Sequence, residues 1–170
     1  LWPPARCVLD VGAQKCVAVK CLGGKPLKIR ANDRCASGSG RYIEMVADVL
    51  GVPLEKLGDA VLRADGCVEV KSTCTVFAES EVITLIHSKE KPEHIIKGAH
   101  RALAQRAYTL LLHVDWEEDL CLVGGLGKNK GFVKELEALV GCPVSIPHLA
   151  DFTAAIGAAI ICQENGEVIS

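Results

Sequence analysis

Two cysteines sit where helices begin. Cys35 lies in "NDRCASGSGR", residues 32–41, ahead of a helical pattern that starts near Gly40. Cys74 lies in "KSTCTVFAESE", residues 71–81, ahead of one that starts near Val76. The unpaired amides of a helix N-terminus favour negative charge, so they lower a thiol's pKa or donate N–H···S bonds to an anionic cluster. Both sulfurs are candidate ligands; the competing reading makes each a small residue buried at a tight helix start. Two glycine turns offer a different chemistry. In "DVGAQ", Asp10 to Gln14, Gly12 lets backbone amides approach a phosphate while Asp10 holds a hydrated Mg²⁺, which keeps most of its waters and takes one or two carboxylates. In "VGGLGKN", Val123 to Asn129, Gly124 and Gly125 follow an apolar strand and precede a helix, where backbone can approach an anion closely. Taken singly, the first turn also suits an ordinary hairpin, and the second a common strand-to-helix connection.

The other seven of the nine cysteines fit plain packing better. Cys16 and Cys21 are an odd number of positions apart on one strand, so they point to opposite faces and share no metal without a bulge. Cys121 falls inside the apolar strand "LCLV" and Cys162 on an Ala-rich helix, and Cys7, Cys67 and Cys142 carry no functional signal. The five histidines are scattered, and His94 and His100 do not share a helix face, which disfavours zinc.

The elements that must position these residues follow from changes of hydrophobic period. "CVLDVG" and "CVAVKCLGGKPLKIRAN" predict three short strands, the last two joined through Gly23 and Gly24. From Gly40 the period turns helical through Ile43, Val46, Val49 and Leu50 and stops at Gly51. A second helix begins at Pro53 and runs to about Val61, and a short strand is expected at Cys67 to Lys71. Two amphipathic helices follow, "TVFAESEVITLIHS" and "KPEHIIKGAHRALAQRAYTLLLHV", and then strand "LCLVGG", helix "GFVKELEALV", strand "PVSIP" and helix "FTAAIGAAIICQ". An antiparallel meander followed by alternating helices and strands predicts an α/β domain with a mixed sheet covered on both faces, its ligand at the carboxyl ends of the strands.

Composition restricts the partners. The chain has 170 residues, 49% hydrophobic, with Lys+Arg 19 against Asp+Glu 21 and a net charge of -2. One domain is expected, with no basic stripe for nucleic acid, no secretory signal and no apolar stretch that spans a bilayer. The expectation is a soluble cytoplasmic protein, in which cysteines serve as buried residues, ligands or redox groups rather than disulfides.

"NDRCASGSGRYIEM", "STCTVFAESEVI" and "VGGLGKNKG" together resemble the BadF/BadG/BcrA/BcrD-type ATPases. These are the activators of 2-hydroxyacyl-CoA dehydratases and the ATPase subunits of benzoyl-CoA reductase, within the superfamily of acetate and sugar kinases, heat-shock chaperones and actin. The resemblance runs from about Asp10 to Ile161. It implies an actin-like, ribonuclease H-like ATPase domain over residues 1–170, equivalent to the carboxyl-terminal half of a two-domain ATPase whose amino-terminal half is absent. It further implies that Cys35 and Cys74 ligate a 4Fe-4S cluster shared between two protomers, in a homodimer or a dimer with a related subunit. ATP or ADP with Mg²⁺ is the second implied cofactor. Asp10, Gly12 and Gln14 match a phosphate motif, with Asp10 near the metal or the attacking water. Gly124, Gly125 and Asn129 match the adenosine motif, and Gly40 and Glu44 lie where a helix approaches the ribose. The implied function is ATP-driven delivery of low-potential electrons to an acyl-CoA reductase or dehydratase, nucleotide altering the angle between the two helices that begin at the cluster. "CASGSG" leans towards the benzoyl-CoA reductase type.

Two departures stand out. Lys15 replaces a second acid of the phosphate motif and neutralises phosphate rather than holding metal. The family's first phosphate motif, an Asp-x-Gly turn, has no counterpart, so weak or absent ATP hydrolysis is expected of this chain alone. The alternative function is a cluster-free nucleotide-binding or assembly module of the same fold. A small-molecule kinase is a third possibility, for which no residue speaks.

Overall fold

A computed structural model describes residues 5–32, 38–72 and 74–165. The meander forms as its alternation predicts, with β1 (Cys7–Val11), β2 (Cys16–Leu22) and β3 (Lys25–Ala31) pairing antiparallel. Gly23 and Gly24 both have positive φ, 59° and 76°, the two left-handed residues that a tight hairpin matched to strand twist requires. β4 (Leu120–Val123) adds to β1 in parallel and gives the order β3-β2-β1-β4. All four of its residues are buried, as an unbroken apolar run in a parallel pair should be.

Among the described residues six helices follow the meander: α1 (Gly40–Leu50), α2 (Leu54–Arg63), α3 (Thr75–His87), α4 (Pro92–His113), α5 (Lys130–Val140) and α6 (Thr153–Asn165). α1 buries Tyr42, Ile43, Val46 and Ala47 at helical spacing and ends on Gly51 in the left-handed conformation, where the sequence places the stop. α4 is the central helix, packing on β1, β2 and β3 and on α1, α2, α3 and α5 around it. One core unites Cys7, Leu9, Val11, Leu120 and Leu122 with apolar side chains from α1 to α5. α6 meets the fold through the short turn Ala150–Phe152 and stays largely exposed.

Three expectations need correction. Helices cover one sheet face; on the other Val8, Val17 and Val19 remain half-buried, and of the four strands only β4 is buried on both sides. β3, bearing Lys25, Pro26, Lys28 and Arg30, is a mostly exposed edge. Residues 67–71 form no strand: the segment lies along α4, where the Val68 N–H donates to the His94 carbonyl and a Cβ on Gly98 would run into the Val68 carbonyl. Its apolar alternation reflects one side resting on a helix. Residues 143–147 shrink to one bridge, Ser145 to Cys121, with the Leu122 N–H donating to Ser145 at 2.9 Å and the Ser145 N–H to Leu120 at 3.0 Å. Among the described residues no helix is long and apolar enough to cross a membrane.

Candidate functional site

The glycine turn after β1 is locked from two sides. The Gly12 N–H donates to the Lys15 carbonyl, and the first amides of α1, Gly40 and Arg41, donate to the carbonyls of Gly12 and Ala13, each at 2.9 Å. The orphan donors of that helix start are therefore satisfied by the turn itself, and the Ser39 side chain makes no cap. A Cβ on Gly40 would sit 3.3 Å from both Ala13 Cα and the Gly12 oxygen, so glycine is what lets the turn lie on the helix. The second glycine turn meets the first. Gly124 has φ 86°, and a Cβ there would stand 2.5 Å from the Val11 oxygen and 2.6 Å from Asp10 Oδ1.

Between these turns opens a cavity of about 490 Å³. It gathers five residues singled out from sequence, Gly12, Gly40, Glu44, Gly125 and Asn129. α2 supplies a wall that the sequence did not announce: Leu54, Glu55, Gly58 and Asp59. Gly58 is small because α5 starts against it; a Cβ would lie 2.9 Å from Asn129 Oδ1 and 3.3 Å from the Lys130 and Gly131 amides. Asn129 caps α5, its Oδ1 accepting from the Phe132 N–H at 3.0 Å, while its Nδ2 contacts Nε2 of the buried His100 at 3.0 Å. The rim is divided by charge, with Glu44, Glu55 and Asp59 on the α1–α2 side and Lys128 and Lys130 on the α5 side. Asp151 holds Lys128 at 2.6 Å.

Gln14 does not line that cavity. It lines a second one, of about 810 Å³, with Lys15, Asn32, Arg41, Asp48 and Thr75. Glu44 borders both, with Arg41 Nη1 2.9 Å from its Oε2. The second cavity therefore reaches from the turn after β1 to the first residue of α3, next to Cys74. Asp10 stands behind Gly124, and burial raises its carboxyl above the ordinary range. Burial, aided by the Asp10 charge, pushes the Cys16 thiol up to about 12, which makes it an inert core residue.

Cys74 is half-buried at the N-cap of α3, its carbonyl accepting the Ala78 N–H at 2.9 Å. Cys35 lies outside the described residues. Glu81 reaches back from α3 to accept the amides of Lys71 and Ser72 at 2.9 and 2.8 Å. Burial opposes its charge, but those amides outweigh it and hold the carboxyl below its ordinary value. Arg106, on α4, donates to the Ser72 carbonyl at 2.7 Å and lies over the Tyr42 ring of α1 at 4.5 Å. Among the described residues no three His, Cys, Asp or Glu side chains gather as a metal site.

The model of the BadF/BadG/BcrA/BcrD ATPase family matches residues 1–162. The chain belongs to this family. Component A of the (R)-2-hydroxyglutaryl-CoA dehydratase from Acidaminococcus fermentans superimposes with a TM-score of 0.92 at 33% identity, over 96% of this chain and 63% of that one. The activator of the 2-hydroxyisocaproyl-CoA dehydratase from Clostridium difficile, solved with bound ADPNP, gives a TM-score of 0.88 at 30% identity, covering 100% of this chain and 66% of that one. One of the benzoyl-CoA reductase subunits of Thauera aromatica is 34% identical over 94% of this chain and 59% of its own. The chain spans about 60% of the length of the curated relatives it matches. The fold is that of the actin-like ATPases, shared with solved chains below 20% identity.

Within this BadF/BadG/BcrA/BcrD-type ATPase fold, Gly58, Glu81 and Arg106 escaped the sequence reading, and His100 entered it only as a rejected zinc ligand. Gly58 carried a signal, a glycine inside a helical pattern, which marks close approach of another backbone. The other three act across folded distance, and nothing local announces them.

Proposed function

We propose that this chain is the nucleotide-binding, cluster-ligating part of an ATP-driven electron activator serving an acyl-CoA dehydratase or reductase. Residues 1–170 would then be one actin-like domain, equivalent to the carboxyl-terminal part of such an ATPase. The observation that carries the reading is the shared Glu44 wall: a glycine-lined nucleotide-sized cavity on one side, and on the other a cavity running from Gln14 to Thr75, beside Cys74.

The adenosine moiety would occupy the first cavity against Gly40, Gly124, Gly125 and Asn129, with carboxylates such as Glu44 suited to ribose hydroxyls. Phosphates would point to the Gly12 turn, with Lys15 adding positive charge there. Asp10 would hold a hydrated Mg²⁺ through one carboxylate, and Gln14 would orient the attacking water. What supports a cluster on the other side is Cys74, a half-buried thiol at a helix start, with Glu81 and Arg106 fixing the backbone of Lys71 and Ser72 just before it. A 4Fe-4S cluster bound by Cys35 and Cys74 of two chains would supply a one-electron carrier of low potential. A shift of the Gly12 turn would act directly on the first turn of α1, which it holds through two hydrogen bonds. Arg106, stacked on Tyr42 of α1 and bonded to Ser72, would pass that movement to the approach to Cys74.

Anaerobic purification of the full chain, followed by iron and acid-labile sulfide analysis and calorimetric titration with ADP, tests this. About two irons and two sulfides per chain with ADP binding are expected. ADP binding without iron would favour the cluster-free nucleotide module, and binding of neither would overturn both.

A further inference from the structure

His100 lies in the middle of α4 with 0% of its surface exposed, one helix away from the nucleotide-sized cavity, and the chemistry above makes no use of it. Its two ring nitrogens are both engaged. Nδ1 is 2.8 Å from the Ile96 carbonyl oxygen, and Nε2 is 3.0 Å from Asn129 Nδ2. We propose that His100 is a positioning residue for the cavity: its obligatory tautomer turns the Asn129 amide so that the cavity meets an N–H donor and not a carbonyl. The ligand's identity rests on the nucleotide reading; the orientation of Asn129 does not.

The argument is one of donors and acceptors. A backbone carbonyl only accepts, so Nδ1 must carry the ring hydrogen. In a neutral imidazole Nε2 is then the acceptor, and Asn129 must turn its NH₂ group towards it. A separate constraint gives the same answer from the other end. The Phe132 backbone N–H, which only donates, lies 3.0 Å from Asn129 Oδ1, so the amide oxygen faces α5. That oxygen is also packed against Gly58, where a Cβ would approach it to 2.9 Å. Of the amide's polar groups, the second N–H is left for a ligand in the cavity that Asn129 lines. It calls for an acceptor on that ligand, such as a ring nitrogen or sugar oxygen of a nucleoside. Burial favours the neutral ring that the network needs. An imidazolium would set two donors face to face and force the amide to turn, which would remove the α5 cap.

Two measurements on the full chain test this. Long-range ¹H–¹⁵N NMR at pH 7 reads the tautomer of His100, and the Nδ1–H form is expected, the minority form of free histidine. The Nε2–H form or an imidazolium would overturn the proposal. Calorimetric titration with ADP is then run on four variants. His100→Leu should weaken ADP about tenfold, the scale of one lost hydrogen bond, and His100→Gln, whose amide oxygen can accept from Asn129, should retain most of the affinity. In an Asn129→Ala background His100→Leu should cause no further loss of ADP affinity, although it lowers thermal stability in either background. Unchanged ADP affinity in His100→Leu, or full additivity with Asn129→Ala, would overturn the proposal. A wild-type chain that binds no ADP would overturn the nucleotide reading, and the tautomer would then decide the Asn129 orientation by itself.

Discussion

The glycine-lined side, where we propose nucleotide binds, and the cysteine side of the molecule are built on opposite principles. On the first, backbone meets backbone: Gly124 against Val11, Gly40 against Gly12 and Ala13, Gly58 against the start of α5. Its cavity is walled by four separate stretches of one chain. On the second, Cys74 stands at the start of α3, and long side chains, Glu81 and Arg106, hold the approach to it. The first cavity is walled by backbone and side chains of a single chain. On the other side, among the described residues, Cys74 is the thiol at the helix start, and the proposed four-thiolate cluster would call for a second copy. Close-packed backbone fixes the first, whereas side-chain hydrogen bonds tether the second.

Breaking each side separately should show this contrast, and the largest effect belongs to the cysteines. Cys74→Ser should abolish bound iron while costing the fold on the order of 1 kcal/mol or less, because serine is itself a good N-cap. Iron analysis with urea denaturation checks both halves of that statement. Cys35→Ser should behave alike, whereas Cys121→Ser, in buried β4, should destabilise without touching the iron. On the nucleotide side, Gly124→Ala combines a left-handed φ of 86° with a clash against Val11 and Asp10. It should cost roughly 4 kcal/mol and eliminate ADP binding while sparing the cysteines.

The next effect is one of pH. The folded pKa of His100 lies at about 4, below the ordinary 6.5, because burial disfavours the charged ring. As pH falls below 6.5 the unfolded chain takes the proton and the folded one does not. The contribution of His100 is thus complete above 6.5 and is lost as pH falls to about 4, in total on the order of 3 kcal/mol. Denaturation of wild type and His100→Gln across pH 4–7 should therefore converge at the acid end. Asp10 has the opposite sign. Its carboxyl is raised by burial, so ionisation costs stability above the ordinary carboxylate range. Asp10→Asn should modestly stabilise the protein at neutral pH, an advantage that vanishes below about pH 4. In a preparation that hydrolyses Mg²⁺-ATP, the same variant should lower hydrolysis far more than ADP affinity.

How much of this was legible beforehand depended on the range of the interaction. The Gly23–Gly24 hairpin and the stop at Gly51 are written in adjacent residues. The strands expected at 67–71 and 143–147 failed because alternation reports a surface with two sides, not a hydrogen-bonding partner; the first rests on α4 and the second holds only the Ser145 bridge. At the site, glycines and polar turn residues stood out, and five of them line one cavity. Gln14 fell in the neighbouring cavity because the Gly12 turn directs the chain past Glu44. The roles of Glu81, Arg106 and His100 were invisible because each acts on a backbone or amide brought to it by folding.

The most direct test of a cluster shared by two chains beside a glycine-lined cavity walled by one is light scattering with iron analysis on the anaerobic full chain, before and after chelation. Four irons per two chains are expected, with dissociation towards monomer on iron removal, unchanged helical circular dichroism and ADP binding retained by the monomer. An iron-loaded monomer, or a dimer indifferent to losing its iron, would contradict it.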